Sequence, residues 1–153
     1  MKQLSTLRYL LFVLLFATAS ACGDDEKNSE PTPKAHTVQV RYSAVQVSGL
    51  GARISGASVN TDGLQPQNSF NVSVGTDVAN VVQAVGQVTS DREFNVTLVF
   101  ENVKTPNKAP TGSSFTADIL VDGVVKKSVR IDNNTAPGVI NVSARTSILT
   151  NEW

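Results

Sequence analysis

Few side chains in this chain could do chemistry, and where they stand matters more than how many there are. Cys22 is the only cysteine and His36 the only histidine. A thiol can be acylated, oxidised, metal-bound or used as a nucleophile, and its surroundings decide which. Cys22 lies directly behind an apolar stretch and ahead of Asp24-Asp25-Glu26, with no second cysteine to pair with. An unpaired exposed thiol is a liability in an oxidising compartment, so a covalent cap on its sulfur is the best reading. Hydrolysis by a serine, histidine and acid set needs a positioned imidazole. His36 stands at the end of a polar linker, where a structural role or none is expected. Asp118, Asp122 and Asp132 flank one hairpin, without a D-x-D-x-D-G loop or a histidine cluster. Acids at turns commonly serve turn geometry and solubility rather than calcium. Paired carboxylates for glycoside hydrolysis need a deep cleft, for which so small a domain leaves little room. The expectation is a non-enzyme with no cofactor and no metal site.

The segment before Cys22 has the three parts of an export signal. Lys2 and Arg8 are its positive end, Tyr9 to Ala17 its apolar stretch, and Thr18 to Ala21 its small residues. The apolar stretch is too short to remain as a bilayer-spanning helix, which needs about 20 residues. Ala19-Ser20-Ala21-Cys22 resembles a bacterial lipobox, in which the cysteine receives a diacylglyceryl group before cleavage in front of it. Ala19 departs from the large aliphatic residue usual three places before the cysteine. Ala19-Ser20-Ala21 also suits ordinary signal peptidase, which would leave Cys22 a free thiol on a soluble secreted protein. The lipobox resemblance implies a membrane anchor on Cys22, since each buried methylene contributes about 0.8 kcal/mol.

After Cys22 the chain is acidic, polar and proline-containing, with too few apolar side chains to offset its ordering entropy. The expected organisation is therefore a signal peptide over 1–21, an acylated flexible tether over 22–35 and one domain over 36–153. Asp24-Asp25-Glu26 resembles the acidic export signal behind the cysteine of many Bacteroidota surface lipoproteins. The same acids could simply solvate a linker. Gly23 stands where an inner-membrane retention signal would place aspartate. The resemblance implies a lipid-anchored protein of the bacterial outer membrane, with display on the outer face left open.

From His36 onward the chain holds nine basic and nine acidic residues. A neutral domain has no clustered charge with which to seek phosphates, so nucleic acid is excluded as a partner.

The domain is rich in Val, Thr, Ser and Asn, with apolar residues at alternate positions, the period of half-buried strands. Val38, Val40 and Tyr42 alternate, and the slip to Val45 and Val47 predicts a bulge or bend near Ala44. A strand is expected over Ala52 to Val59, a turn at Asn60 to Gly63, and a third strand through Phe70, Val72 and Val74. Asp77 to Gly86 fits a helix or a strand; the valine content favours strand. Phe94 to Phe100 alternates again, and Ser90-Asp91-Arg92 suits a hairpin turn between the two. Ser114 to Asp132 reads as a hairpin. The apolar phase favours a three-residue Val121-Asp122-Gly123 loop with Gly123 left-handed, pairing Ile119 with Val125 and Phe115 with Val129. A last strand carries Ile140, Val142, Ala144, Thr146 and Ile148. Seven or eight strands without a long helix imply an all-β, immunoglobulin-like β-sandwich, with a small closed barrel as the alternative.

VQVRYSAVQVSG, FNVSVG and the ILVDGVV hairpin resemble the β-sandwich domain of the mycobacterial membrane protein small (MmpS-type) family. Tyr42 matches its first strand, and Ile119, Val121, Asp122, Gly123 and Val125 its hairpin. An apparent extra hairpin from Val81 to Phe100 departs from it. The resemblance implies an accessory role in an envelope complex, on motifs that form the fold rather than a site.

Two places could recognise something. Lys104 to Ser113 is longer than a hairpin needs, and Lys104, Asn107 and Lys108 make it a candidate interaction loop, or a plain polar crossover between sheets. Asn133 to Gly138 reads more simply as a connection. Trp153 is the one aromatic placed to act as a stacking platform for a ligand such as a glycan. The remaining domain aromatics, Tyr42, Phe70, Phe94, Phe100 and Phe115, fall mostly on core faces. Lys126 and Lys127 are expected to guard a sheet edge. The functional expectation is a non-catalytic module for an envelope protein partner. A ligand-binding module is the alternative, and a strand-exchanging subunit a third.

Overall fold

The computed structural model describes residues 32–60 and 65–153. The export signal, Cys22, almost all of the tether and the turn expected after Asn60 lie outside the described residues. Eight strands form: β1 (Ala35–Val45), β2 (Ala52–Asn60), β3 (Gln67–Val74), β4 (Val78–Thr89), β5 (Arg92–Phe100), β6 (Ser114–Val121), β7 (Val124–Asp132) and β8 (Val142–Ile148). They make two four-stranded antiparallel sheets, ordered β4-β1-β6-β7 and β3-β2-β5-β8. The architecture is the expected β-sandwich. It does not close into the alternative barrel, because each sheet ends in two free edges.

Period-two patterning builds the core. Val38, Val40, Tyr42 and Ala44 point inward from β1, Phe94, Val96, Leu98 and Phe100 from β5, and Phe115, Ala117, Ile119 and Val121 from β6. Phe115 is fully buried, stacks on Phe100 at 6.4 Å and meets the edge of Tyr42 at 6.2 Å, so one ring bridges the sheets. Such residues each contribute about 1.5–3 kcal/mol by leaving water. Gly56 serves the same core: a Cβ there would stand 2.5 Å from the Phe70 ring and 2.9 Å from Asn95 O.

Of residues 77–86, all after Asp77 are strand, as their valines favour. The irregularity near Ala44 exists, but β1 keeps its phase through that residue. The extra residue belongs to β4, which places Ala79 and Asn80 opposite Ser43, with Asn80 at φ 52°. A second bulge in β4 leaves Val85 unpaired beside Gly86, at φ 107°.

Three expectations need correction. Ser90-Asp91 joins no hairpin: β4 pairs with β1 and β5 with β2, so the short turn carries the chain from one sheet to the other. The β6–β7 hairpin closes through a two-residue Asp122-Gly123 turn, both residues at positive φ (50° and 82°), as in type I′. The offset demanded by the apolar phase is supplied by a bulge at Lys126, and Phe115 pairs with Ile131 rather than Val129. Ile140 lies outside the last strand and is 76% exposed.

Candidate functional site

Strand registers define two ends. Ala35 opposes Thr89, and Asp122-Gly123 turns beside it; this proximal end also carries the C-terminal residues after β8. At the distal end Val45 pairs with Ser114, and Ala52 and Val142 both pair with Phe100. The chain therefore enters the sandwich proximally. Segments 46–51, 101–113 and 133–141 all lie distally, about 35 Å away by the rise of an 11-residue strand.

His36 is the centre of the proximal end. Inward alternation on β1 buries it to 7% exposure, and its ring stacks on Trp153 at 5.5 Å. Nδ1 donates to Asp122 Oδ2 over 2.8 Å, while the Thr37 amide donates to Oδ1 over 2.9 Å. These two bonds, the His36 one foremost, hold the Asp122 carboxyl below its usual range. Trp153 Nε1 donates to Arg92 O at 2.8 Å. Glu152 accepts from Lys127 and from the Leu149 amide, and both bonds lower its pKa, the lysine more. The histidine and acid form a clasp joining both termini of the domain to the β6–β7 turn. No serine or threonine hydroxyl bonds to His36 among the described residues.

The distal end is sewn together by backbone–backbone and side chain–backbone bonds. The Asn102 amide donates to Leu50 O (3.0 Å) and Ser113 Oγ to Gln46 O (3.0 Å), which closes 46–51 against the crossover. Val103, Ala109 and Ser113 are buried and pin that crossover, while Lys104, Asn107 and Lys108 stay exposed. The Thr105 amide donates to Gly138 O at 3.0 Å, and its hydroxyl reaches Pro137 O and Gly138 O. The two loops that stand apart in sequence thus meet. Gly138 then donates to Asn141 O at 2.8 Å and turns the chain through Val139-Ile140; a Cβ at Gly138 would lie 2.8 Å from the same oxygen. Val139 is 85% exposed, the highest among the large exposed apolar side chains.

Several acids are already partnered. Glu101 pairs with Arg53, and Asp132 with Arg130 (2.9 Å). The Arg130 bond and the Asn134 amide lower the Asp132 pKa. On the outer face of the first sheet, burial raises the Asp118 pKa. The Arg41 bond (2.7 Å), the Ser128 hydroxyl (2.7 Å) and the Arg41 charge together outweigh that and leave it lowered. The three hairpin aspartates thus have separate protein partners. No group of three metal-ligating side chains occurs among the described residues.

Of the sequence candidates, Lys104, Asn107 and Lys108 lie together on the distal loop, and Trp153 lies at the opposite end. Cys22 is outside the described residues. Sequence reasoning missed the Thr105–Gly138 tie and the exposed Val139-Ile140 tip. The Pro137-Gly138 pair, a turn signal, could have marked the latter. No family model, curated protein or solved structure matches the chain.

Proposed function

We propose that this chain is a non-catalytic lipoprotein of the bacterial outer membrane, anchored through Cys22, whose β-sandwich presents its distal loops to an envelope protein partner. One observation carries the reading: the chain enters the sandwich at one end, and the long exposed loops gather at the other. A tether from Cys22 to Ala35 spans at most about 50 Å when extended. It joins the domain at the end opposite Lys104, Asn107 and Lys108. The MmpS-type resemblance points the same way, toward an accessory of a larger assembly.

The ligand-binding alternative relies on Trp153. That indole is half-buried, stacked on His36 and bonded through its N–H, so its recognisable features serve the fold. Intact mass spectrometry of the protein purified from native membranes tests the anchor. The expected mass is that of a chain beginning at Cys22 plus fatty acyl groups; an unmodified thiol on a water-soluble protein sinks it. Protease shaving of whole cells then decides which face displays the domain.

A further inference from the structure

Four strands end the two sheets, and they are not alike. β3 carries an extra residue near Asn68 (φ 49°), β4 carries two bulges, and β7 one at Lys126. Bulges twist an edge out of line and protect it from pairing with another chain. β8 has none: its pairing with β5 runs unbroken from Phe94–Ile148 to Phe100–Val142, and its other rim bonds to no strand among the described residues.

That rim starts at the Val139-Ile140 tip, and β7 of the other sheet packs close to β8 without bonding to it. Turn tips favour Gly, Asn, Asp, Ser and Pro, because these satisfy the reversed backbone. Two β-branched apolar residues there, 85% and 76% exposed, contribute nothing to the core. A shallow depression of about 360 Å³ opens beside them, lined by Ala136, Gly138, Val139, Ile140, Asn141 and Ser143. The charges nearby are one-sided. Lys104 and Lys108 on the tied loop and Arg145 on β8 are exposed and in none of the ion pairs among the described residues, while Glu101 and Asp132 are each held by an arginine.

We infer that β8 and the Val139-Ile140 tip form a docking edge for an extended, acidic partner segment that adds as a strand and seats an aliphatic side chain against the tip. Main-chain bonds along β8 would supply affinity, the depression selectivity, and these three exposed cations the choice of sign. This rests on the proposed interaction role and names its partner class.

The test uses the full-length protein in its native cells, with the photocrosslinking residue p-benzoylphenylalanine placed as Val139→Bpa and, as a proximal control, Asp91→Bpa. Adducts are digested and sequenced by mass spectrometry. The expected result is one adduct at 139, absent at 91, whose crosslinked peptide is net acidic and bears aliphatic residues. Its yield should fall at least tenfold in K104E/K108E/R145E, with the melting curve unchanged. A lipid adduct, an adduct with a second copy of this chain, a basic or neutral peptide, equal yield in the charge-reversed variant, or no adduct would each overturn the inference. Failure of the anchor appears separately, as an unmodified Cys22 mass alongside an intact adduct.

Discussion

The two ends of the sandwich use the same backbone for opposite purposes. At the proximal end polar and aromatic groups turn on one another: His36 bonds to Asp122 and stacks on Trp153, and Lys127 holds Glu152. At the distal end most bonds have a backbone group as at least one partner, and Lys104, Asn107, Lys108, Val139 and Ile140 are left facing water. One end consumes its functional groups to close the fold; the other keeps its own available. If the proposed function holds, side-chain chemistry alone points to the wrong end, because the only histidine and only tryptophan stand at the self-satisfied one.

The largest effect should come from the core that both ends share. Phe115→Ala removes the ring linking Tyr42 to Phe100 and should cost about 3–5 kcal/mol in urea unfolding. Both ends should be lost in one transition; two transitions would break the view that they stand on a common core. Trp153→Ala should cost less, about 1–3 kcal/mol, since the indole is half-buried. Amide exchange should quicken around His36 and Arg92 and stay unchanged at Thr105. Quickening at Thr105 would show that the ends are coupled.

Acid should also act. The carboxyls of Asp118, Asp122, Asp132 and Glu152 have pKa values below their unfolded ones. Their stabilisation is fully present above about pH 4, the unfolded carboxylate range, and is lost as pH falls through the lower folded values. Urea midpoints should hold at pH 5 and drop toward pH 3. D122N/E152Q should shrink that drop, and an unchanged drop would remove the proximal end from its cause. The smallest stability effect belongs to V139S/I140S, within about 0.5 kcal/mol by the same unfolding measurement. A larger loss would mean that the tip supports the fold.

Much of the fold was legible because alternation reports burial directly. β1, β3, β5 and β6 lie where Val38, Phe70, Phe94 and Phe115 place them, and the valines of β4 favoured strand correctly. Pairing was harder to read. Ser90-Asp91 looks the same whether the flanking strands pair or part into different sheets, since a short turn encodes reversal and not partner. At the β6–β7 hairpin the apolar phase required one extra residue, but phase is indifferent to whether that residue sits in the loop or, as at Lys126, in a bulge beyond it. Ile140 continued the alternation of β8 although the strand had not yet begun. The candidate site was half legible. Lys104, Asn107 and Lys108 stood out by loop length, whereas the tie from Thr105 to Gly138 spans two distant segments that local patterning cannot join.

The bulges on three of the four edges also constrain stoichiometry. Lipid anchoring would crowd such molecules into a plane, where two unguarded rims per copy would let sheets add head to tail into fibres. With a single straight rim, strand addition of the kind inferred above would be limited to one partner segment per copy.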